Sequence, residues 1–86
     1  MTGQGYGWFA VSTQVRAEAR AQLNLERQGF DVYLPRYLKT RRHARRVDQV
    51  PMPLFPRYLF VGMDTRTARW RAINSTFGVS QLVASG

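Results

Sequence analysis

Enzymatic chemistry has few residues to work with in this chain. Its one histidine, His43, stands inside the run Lys39-Thr-Arg-Arg-His-Ala-Arg-Arg46, where a solvated imidazole is expected in preference to a base or a metal ligand. Five Asp and Glu are scattered along 86 residues, and cysteine is absent. Nothing therefore pairs a nucleophile with a base. Neither a thiolate metal site nor a disulfide framework can form. Ser12, Ser75, Ser80 and Ser85 show no partner pattern, and no glycine-rich phosphate loop is present. The expectation is a protein with no catalytic residues, no cofactor, no metal and no small-molecule substrate.

The residues that could do chemistry are those of binding. Thirteen Lys and Arg against five acids give a formal charge of +8 and a pI near 11.4. Such a surplus concentrates polyanions at the surface, and phosphate backbones are the commonest of these. An anionic membrane is the rival, but no stretch approaches the roughly 20 apolar residues that span a bilayer. The opening MTGQGYG also lacks the basic and apolar regions of a signal peptide. A cytoplasmic protein with no membrane partner is expected.

Three groups of side chains stand out. Lys39, Arg41, Arg42, Arg45 and Arg46 put five cations into eight residues. They would suit a hairpin tip lying on DNA or RNA phosphate with little sequence specificity, or simply a solvated loop. Arg16, Arg20 and Arg27, with Asn24 beside them, fall within about 40° of one another at 100° per residue on a helix. Leu23 lies among these arginines, either as an exposed apolar residue or as a partner contact. The segment Pro51-Met-Pro-Leu-Phe-Pro-Arg-Tyr-Leu-Phe60 is the densest apolar and aromatic stretch. If Leu59 and Val61 face inward, Tyr58 and Phe60 face the other side of the sheet, with Phe55 nearby. They would there form a protein-binding patch or a base-stacking platform, or else fill a second small core under a hairpin.

These residues need elements to position them, and 86 residues make one domain with one modest core. Residues 1–7 are glycine-rich and expected to be disordered, with the domain running over 8–86. Trp8 to Thr13 reads as a strand. Residues 15–28 read as a helix capped by Gly29, with Ala17, Ala21 and Leu25 inward. Phe30 to Leu34 is a second strand ended by Pro35. Tyr37 to Met52 is a hairpin whose arms are YLKT and VDQVPM, with the basic run between them. Tyr58 to Gly62 is the clearest strand. Asp64 or Thr65 caps a second helix over about 66–74, from which Trp70 and Ile73 both face the sheet. Val79 to Val83 is the last strand. The order β-α-β-hairpin-β-α-β predicts an α/β plait of the α+β kind, an open, mostly antiparallel sheet with both helices on one face.

Several segments together resemble the N-terminal domain of the NusG family of transcription elongation factors, and especially its RfaH-like branch. They are Trp8-Phe9-Ala10-Val11, Leu25-Glu-Arg-Gln-Gly-Phe30, Val32-Tyr33-Leu34-Pro35, Pro53-Leu-Phe-Pro-Arg-Tyr-Leu-Phe-Val61, Trp70-Arg-Ala-Ile73 and Thr76-Phe-Gly-Val-Ser80, in the family's order from about residue 8 to 83. The resemblance implies a monomeric, bacterial, nucleoid-associated factor for transcription elongation and antitermination. Such a domain sits on the clamp helices of the largest subunit of RNA polymerase, spans the cleft toward the second-largest subunit and disfavours pausing. The implied polymerase-binding residues are Leu54, Phe55, Pro56, Tyr58, Phe60 and Val83. Those implied to approach non-template DNA are Gln14, Arg16, Arg20, Asn24, Arg27, Gln28, Thr76 and Phe77, while Arg66, Arg69 and Trp70 lie toward the opposite jaw. RfaH-like readers of a DNA element carry a basic pair after the first strand and an arginine after the threonine, where this chain has Gln14-Val15 and Phe77. The chain is expected to stop short of the family domain's terminal helix and to lack the KOW domain. The alternative reading, from the residues alone, is a stand-alone RNA- or single-strand-binding plait.

Overall fold

The computed structural model describes residues 5–66 and 70–83. Residues 1–4, Arg69 with the expected beginning of the second helix, and residues 84–86 lie outside the described residues. The elements run β1 (Tyr6–Thr13), α1 (Glu18–Arg27), β2 (Asp31–Tyr33), β3 (Arg36–His43), β4 (Arg46–Pro53), β5 (Tyr58–Asp64), α2 (Arg71–Asn74) and β6 (Val79–Leu82). Strands β2, β5, β1 and β6 form one sheet in that spatial order, antiparallel at every junction. Strands β3 and β4 pair only with each other. The expected α+β plait is what the chain adopts.

Alternation along β5 builds the core. Leu59 and Val61 are fully buried, as is Val11 opposite Leu59 on β1. Ala21 and Leu25 from α1 and Ile73 from α2 close over them in one cluster with Phe30, Leu34, Met63 and Val79. Both helices therefore cover the same face, and the inward stripe read for α1 holds.

The local differences have backbone causes. Strand β1 begins at Tyr6, not Trp8, because Tyr6 and Gly7 pair with Asp64 and Met63 of a longer β5. These two residues are thus not part of a disordered segment. Helix α1 begins at Glu18, not residue 15. Ala17 N–H bonds Gln14 C=O at 3.1 Å, and Arg16 sits at φ 60°. Arg16 therefore stands on a tight turn and leaves the helical stripe of Arg20 and Arg27. At the other end Phe30 N–H reaches Leu25 C=O and Gly29 N–H reaches Glu26 C=O, with Gly29 at φ +92°. This is a Schellman closure. A Cβ at Gly29 meets nothing within 4 Å. Gly29→Ala should therefore cost the left-handed strain alone, about 1 kcal/mol, and lower Tm by roughly 4–8 °C. An unchanged melting temperature would contradict that assignment.

The described part of the second helix is short, with Arg71–Asn74 following Trp70. Ile73 is in the core as expected, but Trp70 is not: it is 40% exposed at the helix start, with the Arg71 guanidinium 5.3 Å from its ring centroid. The hairpin also differs from expectation. The basic run is no loop between arms: Lys39, Arg41, Arg42 and His43 belong to β3 and Arg46 to β4, leaving Ala44 and Arg45 to make the turn.

Candidate docking face

The side of the sheet turned away from the helices is set by register. Residues paired across antiparallel strands point to the same face. Phe60 lies opposite Ala10 on one side and Tyr33 on the other, Trp8 lies opposite Gly62, and Tyr58 lies opposite Ser12. Tyr58 and Phe60 are thus joined by Tyr33, Trp8 and Tyr6. Phe60 is the hub: its ring centroid is 6.3 Å from that of Tyr33 and 6.1 Å from that of Phe55, the latter edge-on at 87°. Tyr6 meets Trp8 edge-on at 6.3 Å. An open groove of about 500 Å³ lies between Trp8, Val32, Tyr33 and Phe60.

Nothing among the described residues covers this face. Trp8 and Tyr33 are more than half exposed, and Leu54, Phe55 and Tyr58 lie between 42% and 49%. A second core under the hairpin is therefore ruled out in favour of a surface. Pro56 is exposed beside them, and Val83 is half-buried, its N–H bonded to Ala10 C=O at 2.9 Å.

Two details keep the rings in place. The Tyr6 hydroxyl donates to Asp31 Oδ2 at 2.7 Å, tying β1 to β2 across β5. That bond, helped by slight desolvation and the Asp31 charge, holds the phenol above its ordinary pKa. Gly62 lies beneath the clasp: a Cβ there would come within 2.6 Å of the Tyr6 hydroxyl and 3.0 Å of the Trp8 ring. Only the missing side chain leaves room for both aromatics to approach the strand so closely.

The loop carrying Leu54, Phe55 and Pro56 is pinned from below. Leu54 N–H bonds Pro35 C=O at 2.8 Å, and Arg57 N–H bonds Glu18 Oε2 at 2.8 Å. Glu18 is buried. It was not singled out in the sequence, although its place in the inward series Glu18, Ala21, Leu25 could have marked it.

The residues expected near DNA separate into two sets. Gln28 Nε2 donates to Thr76 Oγ1 at 2.7 Å, Thr76 Oγ1 donates to Ala72 C=O at 2.9 Å, and Asn24 Nδ2 donates to Phe77 C=O at 3.3 Å. Thr76 is buried. These three side chains lace α1 to the turn before β6. The other set is exposed: Gln14, Arg16, Arg20, Arg27 and Phe77, the last 82% accessible. Gln14 N–H bonds Gly78 C=O at 2.8 Å, so the two turns adjoin. Leu23 is 49% exposed on the face of Arg20 and Arg27.

The hairpin is exposed along nearly its whole length. Lys39, Arg41, Arg42, Arg45 and Arg46 occupy its outer half, and only Asp48, across from Arg41, offsets them. At the end of β5, Arg66 pairs with Asp64 at 2.9 Å, which holds the carboxyl below its usual range through hydrogen bonds from Arg66. No helix among the described residues is long and apolar enough to cross a membrane. Compared with known protein families, the chain matches, over residues 6–86, the model described as "Transcription termination factor nusG".

Proposed function

Since the chain belongs to the NusG family of transcription factors, whose members bind RNA polymerase, we propose that its aromatic face seats on the clamp helices of the polymerase largest subunit. The domain then spans the cleft toward the second-largest subunit and suppresses pausing, as an elongation and antitermination factor of the bacterial cytoplasm and nucleoid. The observation that carries this reading is the uncovered aromatic face centred on Phe60. A helix pair offers ridges of side chains, and an open apolar groove on a rigid sheet accepts one. Contacts to non-template DNA are auxiliary and come from Phe77 with Gln14, Arg16, Arg20 and Arg27. The hairpin cations supply sequence-independent attraction to nucleic acid. Asn24, Gln28 and Thr76 then act by fixing the turn that presents Phe77.

Titration of the domain with an isolated clamp-helix segment, followed by NMR, tests the docking. Amides of Trp8, Tyr33, Phe55 and Phe60 are expected to shift on saturation, while those of residues 39–46 stay in place. Absence of binding by the folded domain would overturn the reading.

A further inference from the structure

Arg57 adopts φ 70°, one of three non-glycine residues in that region among the described residues. The left-handed conformation costs a side chain free energy that glycine avoids. The backbone there is held on both sides: Arg57 N–H donates to Glu18 Oε2, and Arg57 C=O accepts from Thr13 N–H, each at 2.8 Å. Both bonds use main-chain atoms of residue 57, so glycine could make them equally. The fold needs the conformation and does not need the arginine.

The arginine side chain has its own destination. Its Nε donates to Thr13 C=O at 3.3 Å, which lays the guanidinium along the end of β1. There it borders a pocket of about 310 Å³ shared with Ser12, Pro56, Tyr58, Ser80 and Gln81. The Ser12 hydroxyl is spent on Gln81 C=O at 3.2 Å. Among the described residues the Arg57 guanidinium forms no ion pair, Glu18 being spent on its main-chain N–H, and the only such pair is Arg66 with Asp64. A strained, exposed, unpaired cation thus stands in a polar pocket that adjoins the aromatic face through Pro56 and Tyr58.

We propose that Arg57 receives a carboxylate, from an Asp or Glu side chain or a chain terminus, of the protein that seats on the aromatic face. The inference rests on the docking reading above and adds a polar anchor to it. A carboxylate fits better than a phosphate because the pocket continues into aromatic surface, which a phosphodiester backbone would leave uncovered, whereas an apolar helix edge would bury it. Guanidinium and carboxylate pair through parallel N–H···O bonds, which fix orientation as well as adding affinity.

The test is the affinity of the domain for core RNA polymerase free of nucleic acid, measured for wild type, Arg57→Gly, Arg57→Lys, Arg57→Glu and Phe60→Ala. Arg57→Gly should melt within a few degrees of wild type, since relief of the strain offsets loss of the side-chain bond to Thr13 C=O and both main-chain bonds remain. It should nevertheless bind about 10- to 100-fold more weakly. Arg57→Lys should recover part of that loss, and Arg57→Glu should bind more weakly still. Wild-type affinity in Arg57→Gly, with binding lost in Phe60→Ala, overturns this inference and leaves the docking reading standing. Failure of the wild type itself to bind overturns the docking reading, and this inference with it. If Arg57→Gly keeps its affinity for polymerase but loses affinity for a single-stranded DNA oligonucleotide, the group received is a phosphate and the proposal is wrong.

Discussion

Phe60→Ala is expected to weaken binding to RNA polymerase by 100-fold or more while the domain stays folded. Phe60 is the ring on which Tyr33 and Phe55 converge, and it forms one wall of the groove. Removing it takes away the centre of the face and the support of two neighbours. Central aromatic residues of this kind carry about 2–4 kcal/mol or more at interfaces, and 2.7 kcal/mol corresponds to about 100-fold. The core does not depend on this side chain, because Leu59 and Val61 on the opposite face supply the buried contacts of β5. Circular dichroism should therefore show an unchanged fold beside the lost affinity. Retained binding would sink the docking proposal. If the change instead removed about 1–3 kcal/mol of affinity for single-stranded nucleic acid and spared polymerase, the face would be a base-stacking platform.

Gly78→Ala should lower stability by about 3 kcal/mol. Gly78 sits at φ +93°, and an added Cβ would lie 2.9 Å from Ala21 N, 3.1 Å from Ala21 Cα and 3.2 Å from Ala17 O. These are backbone atoms of α1 and the turn before it, so no side chain can swing aside. Left-handed strain of roughly 1–2 kcal/mol adds to overpacking of roughly 1–3 kcal/mol. For a domain of this size that is a fall in Tm of roughly 12–24 °C. The contrast with Gly29, which has the same sign of φ and open space around it, isolates the packing term. Equal losses at the two glycines would show that α1 yields to the new methyl group. The change should also disturb Phe77, whose carbonyl is held by Asn24 from the same helix.

Much of the framework was legible in the sequence because it follows from period. Leu59 and Val61 inward, Tyr58 and Phe60 outward, and Ala17, Ala21 and Leu25 on the buried side of the first helix all come from spacing alone. The aromatic face was only half legible. Trp8 and Tyr33 reach Phe60 through cross-strand register, which depends on where strands pair and not on composition within either one. Arg16 was misplaced because its backbone is left-handed, a conformation that nothing in its residue type announces. The resemblance sets Asn24, Gln28 and Thr76 toward DNA. Their bonds to one another and to nearby carbonyls join segments about 50 residues apart, beyond the reach of any local pattern. Spacing of three residues puts Trp70 on the face of Ile73, yet Ile73 is buried and Trp70 is 40% exposed at the helix start.

The isolation of the β3–β4 ribbon bears on the order of events during capture. Two strands without a third neighbour are marginal by themselves, and this ribbon spans about 27 Å at the usual rise per residue, half of the molecule's 55 Å long axis. Its fraying need not involve the core, so it can open and close many times within the lifetime of the folded domain. If the hairpin cations meet nucleic acid as proposed, such an antenna widens the target for first encounter. Ordering it on arrival costs entropy, which trims its share of the final affinity. On the docking reading proposed above, the ribbon would set how fast the domain arrives, and the aromatic sheet how long it stays.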